Sequence, residues 1–328
     1  MRLSARLMIA GLAMAVGGVT AGCSGAPAFD YASGVTRPSA RPAAPSATAQ
    51  PRTSPAVAPA PSGPRIEVAG TPRGVKAKAG ILTDAATGQV LWAKQPDVER
   101  PIASITKVMT AYLVIQAGHL DQKITIPKAV LNYVWKYGAT SAGLHPGEVL
   151  TAGELLYGLL LQSGADAAYA LATAYGPGLP AFIAKMNATA RQLGMLHTHF
   201  TSPDGLPYPT ETATYSTPAD LLILGAAAMK SAVFRSIVDQ RVYIMKKGQG
   251  HAAHWWGNDN ELIGHYSGAA GIKTGYTDDA GHCLLFEAVR GGRSLLGVVL
   301  DSPPTGPGAA AQDAARALNW GFALRQSG

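Results

Sequence analysis

The sequence predicts an α/β (α+β) fold in which an antiparallel sheet is flanked by helices and a helical subdomain is inserted between its strands. Three observations point there. Strand-like runs stand at both ends of the folded part, the middle third carries apolar residues at helical spacing, and a helix-patterned segment closes the chain. No internal repeat is evident.

Taken in order, the folded part is expected to begin near Ile66, where the alternation Val75-Lys76-Ala77-Lys78 leads into Ala79-Gly80-Ile81-Leu82. Ala85-Ala86-Thr87-Gly88 supplies a turn and Val90-Leu91-Trp92 a return strand, so a hairpin is predicted. Behind Pro101, the residues Ile102, Ile105, Val108, Met109, Tyr112 and Leu113 recur at helical spacing, and Gly118 provides a stop. Thr151-Ala152-Gly153-Glu154 has the spacing of a capping box that opens a helix from Leu155 to about Leu161. A second helix is expected over 166–175, separated from the first by the small-residue break Ser163-Gly164-Ala165. A third runs from Pro180 to Leu193 ahead of Gly194, and Thr217-Pro218-Ala219-Asp220 opens a fourth through Met229. Strands then return at 271–276, 281–290 and 294–300, the last two joined by Gly291-Gly292, before a helix from about Ala309 to Leu324.

Composition divides the 328 residues into three parts. Residues 1–23 carry Arg2 and Arg6 and then an apolar run too short for a comfortable membrane span, the shape of a signal peptide. The run ends Val19-Thr20-Ala21-Gly22-Cys23, which resembles a bacterial lipobox with Thr20 where leucine is commonest. Lipidation at Cys23 is the first expectation, with ordinary cleavage nearby and a retained membrane helix as alternatives. Residues 24–64 are dominated by Pro, Ala, Ser and Thr and lack the apolar surface needed to offset chain entropy, so they read as a disordered tether. The folded domain is assigned to 65–328, with no room for a further C-terminal β domain. The chain is thus expected to be exported and held at the outer face of the cytoplasmic membrane.

The sequence holds two cysteines, Cys23 and Cys283, so no disulfide framework is expected. Cys283 lies in an apolar run and reads as a small core residue rather than a nucleophile. The formal charge of +7 is partly carried by the leader and tether. It favours an anionic envelope surface, and without a basic stripe interleaved with aromatics it gives no sign of nucleic acid binding.

The chemistry centres on Ser104-Ile105-Thr106-Lys107. Residues at i and i+3 of a helix share a face, so the Lys107 amine can approach the Ser104 hydroxyl. Serine is a weak nucleophile at neutral pH, and a lysine whose pKa is lowered by burial or nearby positive charge can accept its proton. In the first turn of a helix, Ser104 would also have free backbone N–H groups beside it. Ser-x-x-Lys alone arises by chance in many chains of this length. It gains weight from Lys273-Thr274-Gly275 on a predicted strand, where lysine and threonine could hold a carboxylate and glycine permits close backbone approach. The Ser163-Gly164 break between them completes a three-part signal.

These parts resemble the penicillin-recognising serine enzymes, and the flanks narrow the resemblance to the D-alanyl-D-alanine carboxypeptidases of peptidase family S11, with a β-lactamase/DD-peptidase-like fold. The resemblance spans nearly the whole folded part and includes the segments 87–91, 100–110, 155–170, 203–206, 271–277 and 319–322. The resemblance implies that Ser104 attacks the carbonyl between two terminal D-alanines of a peptidoglycan stem peptide, with Lys107 as general base and Ser163 as proton relay. It implies that Lys273, Thr274, Gly275 and Tyr276 bind substrate, the first two through the terminal carboxylate, and that the backbone N–H groups of Ser104 and Tyr276 form an oxyanion hole. β-Lactams would acylate the same serine, and no metal or other cofactor is expected. One departure stands out: Ala165 occupies a position where many relatives carry asparagine. Asp166, which follows it, reads as a helix N-terminal residue.

Two other readings compete. A serine β-lactamase would need a Glu-x-x-x-Asn segment after the middle motif, and Glu211 is followed by Thr212-Ala213-Thr214-Tyr215. A non-catalytic cell-wall-binding lipoprotein has Ala165 as its only support. Asn258 and Asn260 are candidate supports of the site. His197-x-His199 and His251-x-x-His254 have metal-pair spacing but no recognisable third ligand. Trp255-Trp256 could line a glycan groove, although packing is preferred.

Overall fold

The computed structural model describes residues 70–325 except Glu211, Thr305 and Pro307. The predicted leader, Cys23 and the tether lie outside the described residues.

The hairpin forms as expected, from β1 (Ala79–Asp84) and β2 (Val90–Lys94). After β3 (Arg100–Pro101) the chain does not enter an α-helix at once: Ala103–Thr106 form a 3₁₀ turn, and α1 (Lys107–Ala117) follows, closed by Gly118. Next come β4 (Lys123–Thr125), α2 (Ala129–Tyr137) and β5 (Val149–Thr151). The capping box at Thr151 and Glu154 is present and opens α3 (Ala152–Leu160), and α4 (Ala165–Tyr175) follows the Ser163-Gly164 break. Then follow α5 (Leu179–Leu193), β6 (Tyr215–Ser216), α6 (Pro218–Met229), α7 (Ala232–Val238), β7 (Val242–Met245) and β8 (His254–Gly257). The chain finishes with β9 (Ala269–Thr277), β10 (Gly281–Arg290), β11 (Arg293–Ser302) and α8 (Ala309–Ala323).

The main sheet has the order β2-β1-β11-β10-β9 and is antiparallel throughout. Both of its faces are covered. Leu285, Leu296, Val298 and Leu300 pack into the helical core with α1, α3, α4 and α6, while Leu284, Phe286, Leu295 and Val299 pack against Ala310, Ala314, Ala317 and Leu318 of α8. Side chains alternate across the pleat, so a strand buried on both sides is apolar at every position. That explains the unbroken run Cys283-Leu284-Leu285-Phe286.

The alternating segment 75–78 that leads into β1 is not itself a strand. Its Lys76 and Ala77 N–H groups donate instead to the buried Asp313 carboxylate of α8, at 2.9 and 2.7 Å. Asp166 also does more than begin a helix. It is fully buried and accepts from the Ala142, Leu144 and Ala167 N–H groups and from the Ser141 hydroxyl, which fixes the loop between α2 and β5. Trp256 holds the same loop by donating from Nε1 to the Ala142 carbonyl at 2.7 Å. Because a buried carboxylate with several donors leaves all of them unsatisfied when it is removed, Asp166→Ala should cost about 3 kcal/mol in urea unfolding. Asp166→Asn, which keeps an acceptor oxygen, should cost distinctly less.

Candidate active site

The site is assembled where the 3₁₀ turn, the α3–α4 break and β9 meet. Ala103 takes a left-handed backbone conformation (φ +46°), which turns the chain from β3 into the segment that carries Ser104. Lys107, at the start of α1, is 2 % exposed. Its Nζ donates to Ser104 Oγ at 2.8 Å and to the Asp204 carbonyl at 3.0 Å. Burial pushes the Lys107 amine down to about 8, against the pull of the Asp204, Asp166 and Asp259 carboxylates. At that value a useful fraction of the amine is neutral near physiological pH and able to take a proton from the hydroxyl.

The Asp204 carbonyl is placed by its neighbours. Thr110 donates to the Pro203 carbonyl at 2.6 Å, and the Gly205 N–H donates to Ser202 Oγ at 2.9 Å. Gly205 is required here twice over: its φ is +84°, and a Cβ would overlap the Ala103 carbonyl. Ser163 is buried with φ +60°, a strained conformation for serine, and lies on the wall shared with Ser104. Ala165 begins α4 with its N–H on the Thr140 carbonyl at 2.8 Å, so its methyl adds no polar group to the site.

On the sheet side, Lys273 is 1 % exposed and donates to Thr274 Oγ1 at 3.2 Å. Burial, reinforced by Lys107 and opposed by Asp259, pushes Lys273 down to about 7. Gly275 lets β9 press on the 3₁₀ turn, since an added Cβ would sit 2.6 Å from the Ile102 carbonyl oxygen. Tyr276 is exposed, donates to Asp278 Oδ1 at 3.0 Å and packs its ring 4.6 Å from that of His282.

Ser104 stands between two cavities. One, of about 420 Å³, is lined by Ser163, Thr274, Gly275 and Tyr276 together with Asp259 and Glu261. The other, of about 300 Å³, is lined by Lys107, Ala165, Asp204, Leu206 and Asp278. Every site residue expected from the sequence is therefore brought to this cleft, with Lys273 behind Thr274.

The structure redistributes several expectations around it. Asn258 and Asn260 act as supports, through the turn beside the cavity. Asn258 donates to the Val238 and Gln240 carbonyls and accepts from the Asn260 N–H, and Asn260 accepts from the Leu262 N–H. They build the turn that presents Asp259, which the sequence reading passed over. Two of the histidines pair with acids, His254 with Glu148 at 3.2 Å, buried, and His197 with Glu99 at 3.3 Å, while the His251 ring contacts the Ala252 carbonyl and His199 packs on Tyr215. Among the described residues no group of three His, Cys, Asp or Glu is placed to hold a metal ion. The two tryptophans divide: Trp256 is buried and Trp255 is exposed. Cys283 is a core residue, buried and hydrogen-bonded to the Ala280 carbonyl, with its thiol pushed up to about 12 by burial.

A hydroxyl–amine pair at the junction of an antiparallel sheet and a helical subdomain defines a serine peptidase of the β-lactamase-like class. The chain belongs to the D-alanyl-D-alanine carboxypeptidase family of serine peptidases, whose model matches residues 66–304. It is 42 % identical over 262 residues to the D-alanyl-D-alanine carboxypeptidase of Streptomyces sp. strain K15, covering 76 % of this chain and 88 % of the relative. It is 37 % identical over 253 residues to DacB2 of Mycobacterium tuberculosis, with 76 % and 83 % covered. The crystal structure of the Streptomyces K15 DD-transpeptidase superposes with a TM-score of 0.72 at 41 % identity, spanning 77 % of this chain and all of that one.

Two outcomes follow from this geometry. Gly205→Ala should displace the Asp204 carbonyl from Lys107 and lower hydrolysis of a D-Ala-D-Ala peptide about 100-fold or more, measured as kcat/KM. Alkylation of the native protein with iodoacetamide at pH 8, followed by peptide mapping, should leave the Cys283 peptide unmodified until denaturant is added.

Proposed function

We propose that the protein removes the terminal D-alanine from peptidoglycan stem peptides ending in D-Ala-D-Ala through an acyl-enzyme on Ser104, and that β-lactams acylate the same residue. The observation that carries this reading is the 2.8 Å hydrogen bond between Ser104 Oγ and the buried amine of Lys107, which burial pushes down to about 8. Lys107 takes the hydroxyl proton as Oγ attacks, and Ser163 relays a proton to the leaving amine. Lys273 and Thr274 hold the terminal carboxylate, Gly275 and Tyr276 form the edge along which the peptide lies, and the N–H groups of Ser104 and Tyr276 receive the oxyanion. One such donor is worth about 2.7–4 kcal/mol in comparable sites. Water then hydrolyses the ester. We further propose an exported protein lipid-anchored at Cys23, which would set the domain in the layer where such peptides occur.

Fluorescent penicillin should label the wild-type protein covalently, and Ser104→Ala should abolish the label. Well-folded wild-type protein that takes no label would favour a non-catalytic wall-binding role instead. Rapid turnover of a chromogenic cephalosporin, with a D-Ala-D-Ala peptide left intact, would favour a β-lactamase. The acid limb of acylation follows from the sign of the lysine shift. The base works as the neutral amine, so the rate should rise about tenfold per pH unit well below pH 8 and level off around it.

A further inference from the structure

Ser104 lies on the border of the two cavities, and Thr274, the proposed carboxylate anchor, lines only the larger. A peptide whose terminal residue fills the larger cavity, with its scissile carbonyl at Ser104, continues on its acyl side towards the smaller one. The strand beside it points the same way. Among the described residues β9 has no strand on its outer side, so that row of backbone groups can pair with an extended peptide. An extended peptide advances about 3.4 Å per residue, as a strand does. With the carboxylate at Thr274 and the scissile carbonyl at the Tyr276 N–H, the residue before D-Ala-D-Ala comes level with the end of β9, at Thr277 and Asp278.

The smaller cavity has the lining of a side-chain subsite. Tyr137, at the end of α2, stands on one wall, Leu206 and Pro207 of the 204–207 loop on another, and Ala165 adds a methyl. The Tyr137 and Tyr208 rings, 5.6 Å apart, join helix to loop, and Lys136 Nζ lies over both, 4.9 and 5.8 Å from their centres. Asp278 lines the cavity from the β9–β10 turn, exposed, with Oδ1 taking the Tyr276 hydroxyl at 3.0 Å. The other charged groups around it are engaged within the protein. Lys107 is buried on Ser104 and the Asp204 carbonyl, and Lys136 is held on the tyrosine rings. The Asp204 side chain is 1 % exposed and accepts the Leu206 N–H at 3.1 Å. The cavity therefore offers apolar walls and one accessible carboxylate at its edge. A side chain with an apolar stem and a cationic end is complementary to both.

We propose that the smaller cavity is the acyl-donor subsite and selects, at the residue before D-Ala-D-Ala, a side chain with an apolar stem and a positively charged end. Tyr137 and Leu206 line the stem, and Asp278 pairs with the charge. This rests on the roles given above to Ser104 and Thr274. An exposed carboxylate discriminates modestly, by about fivefold, whereas the apolar walls discriminate by about tenfold between a long stem and a methyl.

The test is kcat/KM for Nα-acetylated X-D-Ala-D-Ala peptides in which X is L-lysine, L-norleucine or L-alanine. Wild type should prefer lysine to norleucine about fivefold, less so in high salt, and norleucine to alanine about tenfold. Asp278→Asn should bring the lysine to norleucine ratio close to one, and Asp278→Lys should invert it. Tyr137→Ala should erode the preference for norleucine over alanine. These ratios separate recognition from general damage, which lowers all three peptides together. Asp278→Ser serves if the Asn variant folds poorly. A wild type indifferent to the charge or to the stem overturns the proposal, as does an Asp278→Asn protein of wild-type thermal stability that keeps the full lysine preference. Wild-type protein that takes no penicillin label and cleaves none of the peptides overturns the Ser104 reading and this one with it. A labelled and active wild type without these preferences overturns this one alone.

Discussion

A lysine amine held out of water beside a serine hydroxyl is the constraint around which this structure is arranged. Burying an ammonium is costly unless it is paired, hydrogen-bonded or relieved of its proton. Lys107 answers with all three in part: a carbonyl and a hydroxyl at hydrogen-bond distance, carboxylates nearby, and an amine pushed down to about 8. The carbonyl works only because Gly205 can turn where a side chain would collide, and the hydroxyl only because the chain makes a tight 3₁₀ turn before the α-helix begins. Lys273 poses the same problem again across the cleft, and the site is the joint solution for both.

Support for that arrangement comes from layers away from the reaction centre. The two-sided burial of the main sheet fixes β9, and β9 fixes Lys273 and Thr274. Asp166 and Trp256 fix the loop that carries Thr140 onto the cavity wall. Relatives with 41–42 % identity share this framework over three quarters of the chain, so the sheet and helical subdomain form a common scaffold. Ala165, within it, adds no polar side chain to the site.

The scaffold was legible in the sequence where a strong period or a terminal signal was present. The β1–β2 hairpin, the capping box at Thr151, Gly118, Gly194 and the strands around Gly291-Gly292 are such places, and each appears in the structure close to its expected position. The two- to four-residue strands β3–β8 escaped notice because so short a run shows no period. Val75–Lys78 alternates like a strand, yet a distant carboxylate on α8 takes its backbone donors. Ser104, Lys107, Lys273 and Thr274 could be found because they sit in compact motifs. Asp259, on the cavity wall, could not, since no compact motif contains it, although the asparagines flanking it marked the right turn.

The central claim is that burial, and not sequence spacing alone, makes Lys107 a base. The most direct check is an NMR titration of the Lys107 Nζ in protein carrying isotopically labelled lysine, assigned with Lys107→Arg. The account requires a midpoint near 8, well below the ordinary lysine value of 10.5. A Lys107 midpoint in the ordinary range would contradict it.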